Sequence, residues 1–287
     1  MSIKDLHQAW LRRWWRPQPE ALAPFDGAAR VVVITGGSEG IGLALARQFA
    51  RGAAPLLLVA RDPAKLESAA VDLRARGAVV DTLSVDLTAA DVLDLIDQKL
   101  REMRGYADVL VNNAGMGLSG DFIRHDPEAV TRLVDLNVAA LTKLTRHYLP
   151  GMVLRGRGGI LNLASVGSYG PGPNQAAYYA SKAYVLSLTE AIAHENAGYG
   201  VRICAVAPGP VKTKFHARMG AERAFYRLLA PPTSPDLVAT LAYWGYQAGM
   251  RVVWPGIVTP FAALAMRLMP HRVLNVIVAT LLKPRGR

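Results

Sequence analysis

Cysteine is nearly absent from this sequence. Cys204 stands alone among 287 residues, so no internal disulfide can form and a reducing compartment is expected. Set inside VRICAVA, it reads as a buried strand residue and not as a nucleophile. Long apolar runs are missing too. The two apolar pieces near the C-terminus, 252 to 266 and 273 to 282, are split by Arg267, His271 and Arg272. Each is shorter than the roughly 20 residues a spanning helix needs. The first twenty residues lack the uninterrupted apolar core of a secretory signal, and no internal repeat is visible. Although the net charge is +11, neither a lysine-rich arm nor an aromatic RNA-binding signature accompanies it, which argues against nucleic acid. Acidic residues stop at Asp236, while Arg251, Arg267, Arg272, Lys283, Arg285 and Arg287 follow. A basic end that is also apolar suits an anionic membrane surface better than a duplex. A cytoplasmic protein with peripheral membrane contact is the expectation, although a substrate lid or a subunit contact fits the same residues.

The N-terminal stretch MSIKDLHQAWLRRWWRPQPE places Ile3, Leu6, Trp10 and Trp14 near one helical face and most arginines elsewhere. Such a helix suits a membrane interface and equally packing on its own domain or on a partner subunit. Pro17, Pro19 and Pro24 then form a linker, giving an extension over 1–28, a main domain over 29–258 and a second extension over 259–287.

From Ala29 apolar strands alternate with helical patterns, which predicts an α/β fold with a parallel sheet. The strands expected are ARVVVIT, PLLLVA, a segment near 78 to 85, ADVLV, GGILNLAS, VRICAVAP and RVVWPGIV. Helices are expected over 88–103, 127–150 and 234–249, among others. ARVVVIT runs straight into Gly36, Ser38, Glu39, Gly40, Ile41 and Gly42, then into a helix. Strand, glycine turn and helix in that order is the setting a dinucleotide loop needs, because the backbone can approach a pyrophosphate and the helix start favours its charge. Arg61 falls at the end of the second strand, about 20 residues on, where an arginine suits a 2′-phosphate; NADP(H) is therefore favoured over NAD(H). Asp62 before Pro63 reads as an N-cap. Asp86, Leu87, Asn113, Ala114 and Gly115 end the third and fourth strands at the ligand edge, as Pro208, Gly209, Val211 and Thr213 end the sixth. Residues 210–232 are expected to overhang the cleft, offering Phe215, Phe225, Tyr226, Leu228 and Leu229 to an apolar substrate.

Tyr178 and Lys182 lie four residues apart in AAYYASKAYVLSLTEAIAHE, which on a helix puts both on one face with Cβ atoms about 5 to 6 Å apart. A phenol has a reference pKa near 10, and a neighbouring ammonium lowers it, so the pair is expected to act as a tuned acid or base. Ser165 reaches the same place across a glycine- and proline-broken loop. These groups suit proton transfer at a carbonyl or alcohol better than acyl transfer. Asn137, inside LVDLNVAAL, is a polar amide at an apolar position.

Together these pieces resemble the short-chain dehydrogenase/reductase family over roughly residues 29 to 258. The resemblance rests on Thr35-Gly-Gly-Ser-Glu-Gly-Ile-Gly42, Asn112-Asn-Ala-Gly115, the tetrad Asn137, Ser165, Tyr178 and Lys182, and Pro208-Gly209 with Thr213. It implies a Rossmann-like, doubly wound parallel sheet of about seven strands with helices on both faces. It also implies hydride transfer between NADPH and an apolar ketone, lipid-like, steroid or acyl, or the reverse alcohol oxidation. Tyr178 would donate the proton, Ser165 hold the oxygen, Lys182 bind the nicotinamide ribose and Asn137 anchor a water in a proton relay. No metal is implied, and a homodimer or homotetramer is. Glu39 departs from the basic residue that NADP-preferring relatives often carry before the second glycine. The competing reading is a non-catalytic NADP-binding membrane-associated or regulatory protein on the same fold.

Overall fold

The computed structural model describes residue 10, residues 22–221 and residues 232–283. Most of the N-terminal amphipathic segment, and Phe225, Tyr226, Leu228 and Leu229 of the expected cover, lie outside the described residues.

A seven-stranded, all-parallel sheet forms the centre: β1 Ala29–Thr35, β2 Leu56–Ala60, β3 Val80–Ser84, β4 Gly105–Asn112, β5 Gly158–Leu163, β6 Val201–Val206 and β7 Val252–Val253. The order is β3-β2-β1-β4-β5-β6-β7, with the reversal of direction between β1 and β4. Successive side chains of a strand point to opposite faces. Val32 and Ile34 of β1 accordingly join one core layer and Val31 and Val33 the other. The first layer is closed by α1 Gly40–Ala50, α2 Pro63–Arg74 and, later in the chain, Pro235–Gln247. The second is closed by α3 Val92–Glu102 and, after α4 Pro127–Val134, by α5 Leu141–Arg155. α6 Ala176–Glu195 carries Tyr178 and Lys182, and α7 Phe215–Arg218 begins the expected cover. Pro235–Gln247 is α8, and α9 Val258–Leu268 and α10 His271–Leu282 follow the sheet. The doubly wound sheet with helices on both faces is the expected fold.

Local caps explain several boundaries. Asp62 accepts from the Lys65 backbone N–H at 3.1 Å with Pro63 at the first helical position, as the sequence implied. Ser234 caps α8 in the same way through Leu237, followed by Pro235.

Three expected elements change. The helix over 127–150 is interrupted by a π-helical segment, Asp135–Ala140, and then runs on past Pro150 to Arg155, where Gly156 at φ +65° ends it. The last strand pairs only over Val252–Val253, because Pro255 lacks an N–H to continue a ladder and the chain turns into α9. The helix over 88–103 starts only at Val92, since Asp86 folds residues 86–88 into a turn by accepting from the Thr88 N–H and hydroxyl.

Candidate active site

Parallel strands deliver their C-terminal ends to one edge of the sheet, and the turn after β1 sits at the reversal of strand order. Gly36 and Gly40 hold φ of +63° and +58°, which side chains rarely adopt. Gly42 is required by space: a Cβ there would collide with the Gly36 carbonyl oxygen and Asn113 Nδ2. The turn is stitched to the end of β4. Asn113 Nδ2 donates to the carbonyls of Thr35 and Gly36, at 3.0 Å each. Thr35 Oγ1 in return accepts from the N–H groups of Asn113 and Ala114 at 3.0 and 3.1 Å. No side chain caps the start of α1, so its first-turn N–H groups are available to an anion. The carboxylate of Glu39 turns instead to Arg218 at the end of α7, and this guanidinium holds it below the usual carboxylate range.

Arg61 stands exposed at the end of β2, with Asp86 3.9 Å away. Asp86 is held below its ordinary value first by the hydrogen bonds from Thr88 and then by Arg61. Leu87 packs into the second core layer. Thr213 lies across the glycine turn, with its methyl 3.2 Å from where a Gly40 Cβ would be. Pro208 is tied to the loop after β5 by the Val166 N–H, 2.9 Å from its carbonyl oxygen. Val211 is buried and bridges to Thr233; Gly209 lies against Thr259. Glycines, an uncapped helix start and an exposed arginine suit the phosphates of an NAD(P) dinucleotide.

The expected tetrad comes together. Ser165 and Ser168 form a reciprocal capping box, in which Ser165 Oγ accepts from the Gly167 N–H at 3.1 Å and Ser168 Oγ accepts from the Ser165 N–H at 3.3 Å. Ser168 Oγ donates to the Lys182 carbonyl at 2.8 Å, tying this loop to α6. Asn137 is buried in the π-helical segment; its Nδ2 donates to the Met116 carbonyl at 2.8 Å and to Ser181 Oγ at 3.0 Å. Its Oδ1 accepts from the Met116 N–H at 2.9 Å. Lys182 Nζ donates to the Leu163 carbonyl at 2.6 Å and passes beside Gly115, where a Cβ would be 3.6 Å from it.

Electrostatically the site differs from the expectation. The four-residue spacing predicts that Lys182 makes Tyr178 more acidic, but its amine is directed to the Leu163 carbonyl and sits 5.9 Å from the Tyr178 ring centroid. Burial pushes the Tyr178 phenol above its ordinary value, and a hydrogen bond with Ser165 only partly opposes this. Burial also lowers the Lys182 ammonium to about 8.

The start of α7 reaches Tyr178. The Phe215 ring lies 5.6 Å from the Tyr178 ring, centroid to centroid, and Phe215 and Met219 close on Gly117. The other candidate phenols are occupied differently: Tyr169 accepts from Trp254 Nε1 at 2.8 Å, and the Tyr179 ring packs over Gly167 and Gly172.

Several supporting groups lie outside the sequence motifs. Asn112 Nδ2 donates to Thr145 Oγ1 and to Asn162 Oδ1, and Asn162 Nδ2 donates to Thr189 Oγ1, a buried polar ladder beneath the site. Ser181 is adjacent to Lys182, which was the one available signal for it. Nothing in the spacing of Glu39 and Arg218 announced their pairing.

The short chain dehydrogenase family model matches residues 30–224. An oxidoreductase of Staphylococcus saprophyticus is 33% identical over 215 residues, covering 70% of this chain and 92% of that protein. A short-chain dehydrogenase from Sphingobium yanoikuyae, solved in complex with NADPH, superposes with a TM-score of 0.73 and 34% identity, over 82% of this chain and 92% of its own. The bulky-bulky ketone specific alcohol dehydrogenase from Comamonas testosteroni superposes with a TM-score of 0.69 and 30% identity, over 79% and 86%. The chain belongs to the short-chain dehydrogenase/reductase family and is an NAD(P)-dependent oxidoreductase acting on CH–OH and C=O groups.

Proposed function

We propose that the protein reduces the carbonyl of a bulky apolar ketone with NADPH, or oxidises the corresponding alcohol. The observation that carries this reading is the meeting of the Ser165 and Tyr178 hydroxyls under the Phe215 ring. The phenol keeps its proton at neutral pH and so has one to give to a carbonyl oxygen. Ser165 Oγ, held by the Gly167 N–H, shares a hydrogen bond with Tyr178 and would turn its hydrogen to the substrate oxygen that enters between them. The nicotinamide, when bound, supplies the hydride. Lys182, its amine anchored on the Leu163 carbonyl, would orient it through the ribose. Asn137, fixed by Met116 and Ser181, holds its main chain steady for a water linking Lys182 to solvent. Gly36, Ser38, Glu39, Gly40, Ile41 and Gly42 bind the pyrophosphate side. Arg61 selects the 2′-phosphate, while Asp86, Leu87, Asn113, Ala114, Gly115, Pro208, Gly209, Val211 and Thr213 line the rest of the cofactor.

Support for NADPH comes from Arg61 and from the NADPH complex of the Sphingobium relative. Support for an apolar ketone comes from Phe215 and Met219 and from the ketone specificity of the Comamonas enzyme. A homo-oligomer through the helices bearing Asn137 and Tyr178 belongs to the same reading, supported by Val134 and Tyr184, which are exposed there. So does a cytoplasmic protein in peripheral contact with a membrane; among the described residues no helix is long and apolar enough to cross one. The test is NADPH consumption with a panel of bulky aromatic and aliphatic ketones, each product identified. Turnover of these above small polar ketones is expected. Binding of NADPH without turnover of any ketone or alcohol, with either nicotinamide, would leave only a cofactor-binding role.

A further inference from the structure

α9 and α10 are joined by a short turn at Met269–Pro270 and pack on the protein by one narrow side each: Thr259 and Ala263 from α9, Leu274, Val278 and Leu282 from α10. Their support is the catalytic loop. Leu274 and Met266 close on Gly170, Asn174 Nδ2 donates to the Ala279 carbonyl at 3.3 Å, and Tyr179 joins the Leu274, Val278 and Leu282 cluster. Tyr179 is the neighbour of Tyr178, their rings 6.1 Å apart. The helical pair therefore stands on the loop that leads from Ser165 to Tyr178.

Its outer side is apolar and exposed. Ile257, Phe261, Leu264 and Leu268 are 87, 70, 55 and 74% exposed, and their spacing of four, three and four puts them on one face. Val273 and Val276 of α10 add 52 and 68%. Soluble proteins seldom leave so many large apolar side chains together in water. The rim is basic: Arg267, His271, Arg272 and Lys283 are exposed, Arg251 half-buried, and no acidic residue follows Asp236. On the elements beneath, Glu190 is the acidic group within electrostatic reach of Tyr169, opposite in sign to Arg267 there.

A second copy fits this surface poorly, because a two-fold contact pairs the patch with itself and so brings one basic rim against another, with no acidic residue after Asp236 to offset it. An anionic bilayer satisfies both features, the apolar stripe entering the acyl boundary and the cations meeting the headgroups. Helices of 11 and 12 residues lie in the interface and do not span it. We propose that α9 and α10 form a monotopic docking face for an anionic bilayer, set beside the catalytic loop so that a lipid-dissolved substrate enters from the membrane. The docking face stands on its own observations; the substrate route rests on the ketone reading above.

The experiment is flotation of the full chain with vesicles of phosphatidylcholine alone or with phosphatidylserine, alongside turnover of a water-soluble ketone. The wild-type protein should float with the anionic vesicles, less so at high salt. Phe261→Asp with Leu268→Asp and Val276→Asp should abolish flotation. Arg267→Gln with Arg272→Gln, which leaves the apolar packing untouched, should lower the bound fraction about tenfold on anionic vesicles only. Both variants should keep their turnover of the soluble ketone. Wild-type protein that never floats, charge-neutralised protein that floats unchanged, or apolar variants that turn a dimer into a monomer would each overturn the proposal. Failure of the ketone reading is separate: it appears as absent turnover whatever the flotation.

Discussion

Lys182 Nζ donates to the main-chain carbonyl of Leu163 at 2.6 Å, fastening the helix that carries Tyr178 to the strand that delivers Ser165. Burial brings this amine from its ordinary 10.5 down to about 8. Between those values the unfolded chain holds the proton that the folded protein has released, so stability rises with pH through that window. Below about 8 the folded protein carries the cost of burying a charged amine, on the order of 3 kcal/mol. Lys182→Met removes that cost. Denaturant unfolding at several pH values from 7 to 10 should show wild-type stability gaining on the variant as pH rises. Parallel curves would mean that the amine is solvated.

Gly42 leaves no room for a side chain, because the carbonyl of Gly36 and the amide of Asn113 fill that space. Gly42→Ala must therefore part the glycine turn from the end of β4. Overpacking of this kind costs about 1 to 3 kcal/mol. Calorimetry should show a lower melting temperature, and titration should show NADPH binding weakened at least tenfold. Unchanged binding would place the pyrophosphate elsewhere.

Arg61 and Asp86 are 3.9 Å apart and both largely in water, so their pairing contributes little and the guanidinium remains available. A charge-assisted contact to a phosphate is worth about 1.5 to 3 kcal/mol. Arg61→Asp should accordingly raise the Kd for NADPH roughly 10- to 100-fold while leaving that for NADH within about threefold. An unaltered ratio in a fluorescence titration would show that another group reads the 2′-phosphate.

What the sequence disclosed was mostly local or periodic. Val31 to Ile34 and Leu56 to Val59 are apolar on both faces, so their strands and central position follow from the run itself. Asp62-Pro63 caps its helix through a bond three residues away. What stayed hidden depends on distant partners. Asn137 sits in a π-helical turn bonded to Met116 and Ser181, contacts that helix periodicity cannot register. Glu39 breaks the pattern of NADP-preferring relatives, yet its partner Arg218 lies 179 positions along the chain. The grouping of Asn137, Ser165, Tyr178 and Lys182 was legible because the family motif fixes four residues together. Its electrostatics were not: the four-residue spacing puts Lys182 beside Tyr178, but the carbonyl of Leu163 claims the amine.

In the proposed reaction the phenol of residue 178 gives the proton. Tyr178→Phe keeps the ring against Phe215 and removes only the hydroxyl. Rapid-mixing kinetics on this variant, with NADPH and a ketone turned over by the wild type, measure binding and chemistry separately. General acid catalysis contributes about 10²- to 10⁴-fold. The expected result is an NADPH Kd within about twofold of wild type and a turnover reduced on that scale; turnover within about threefold of wild type would contradict the role given to Tyr178.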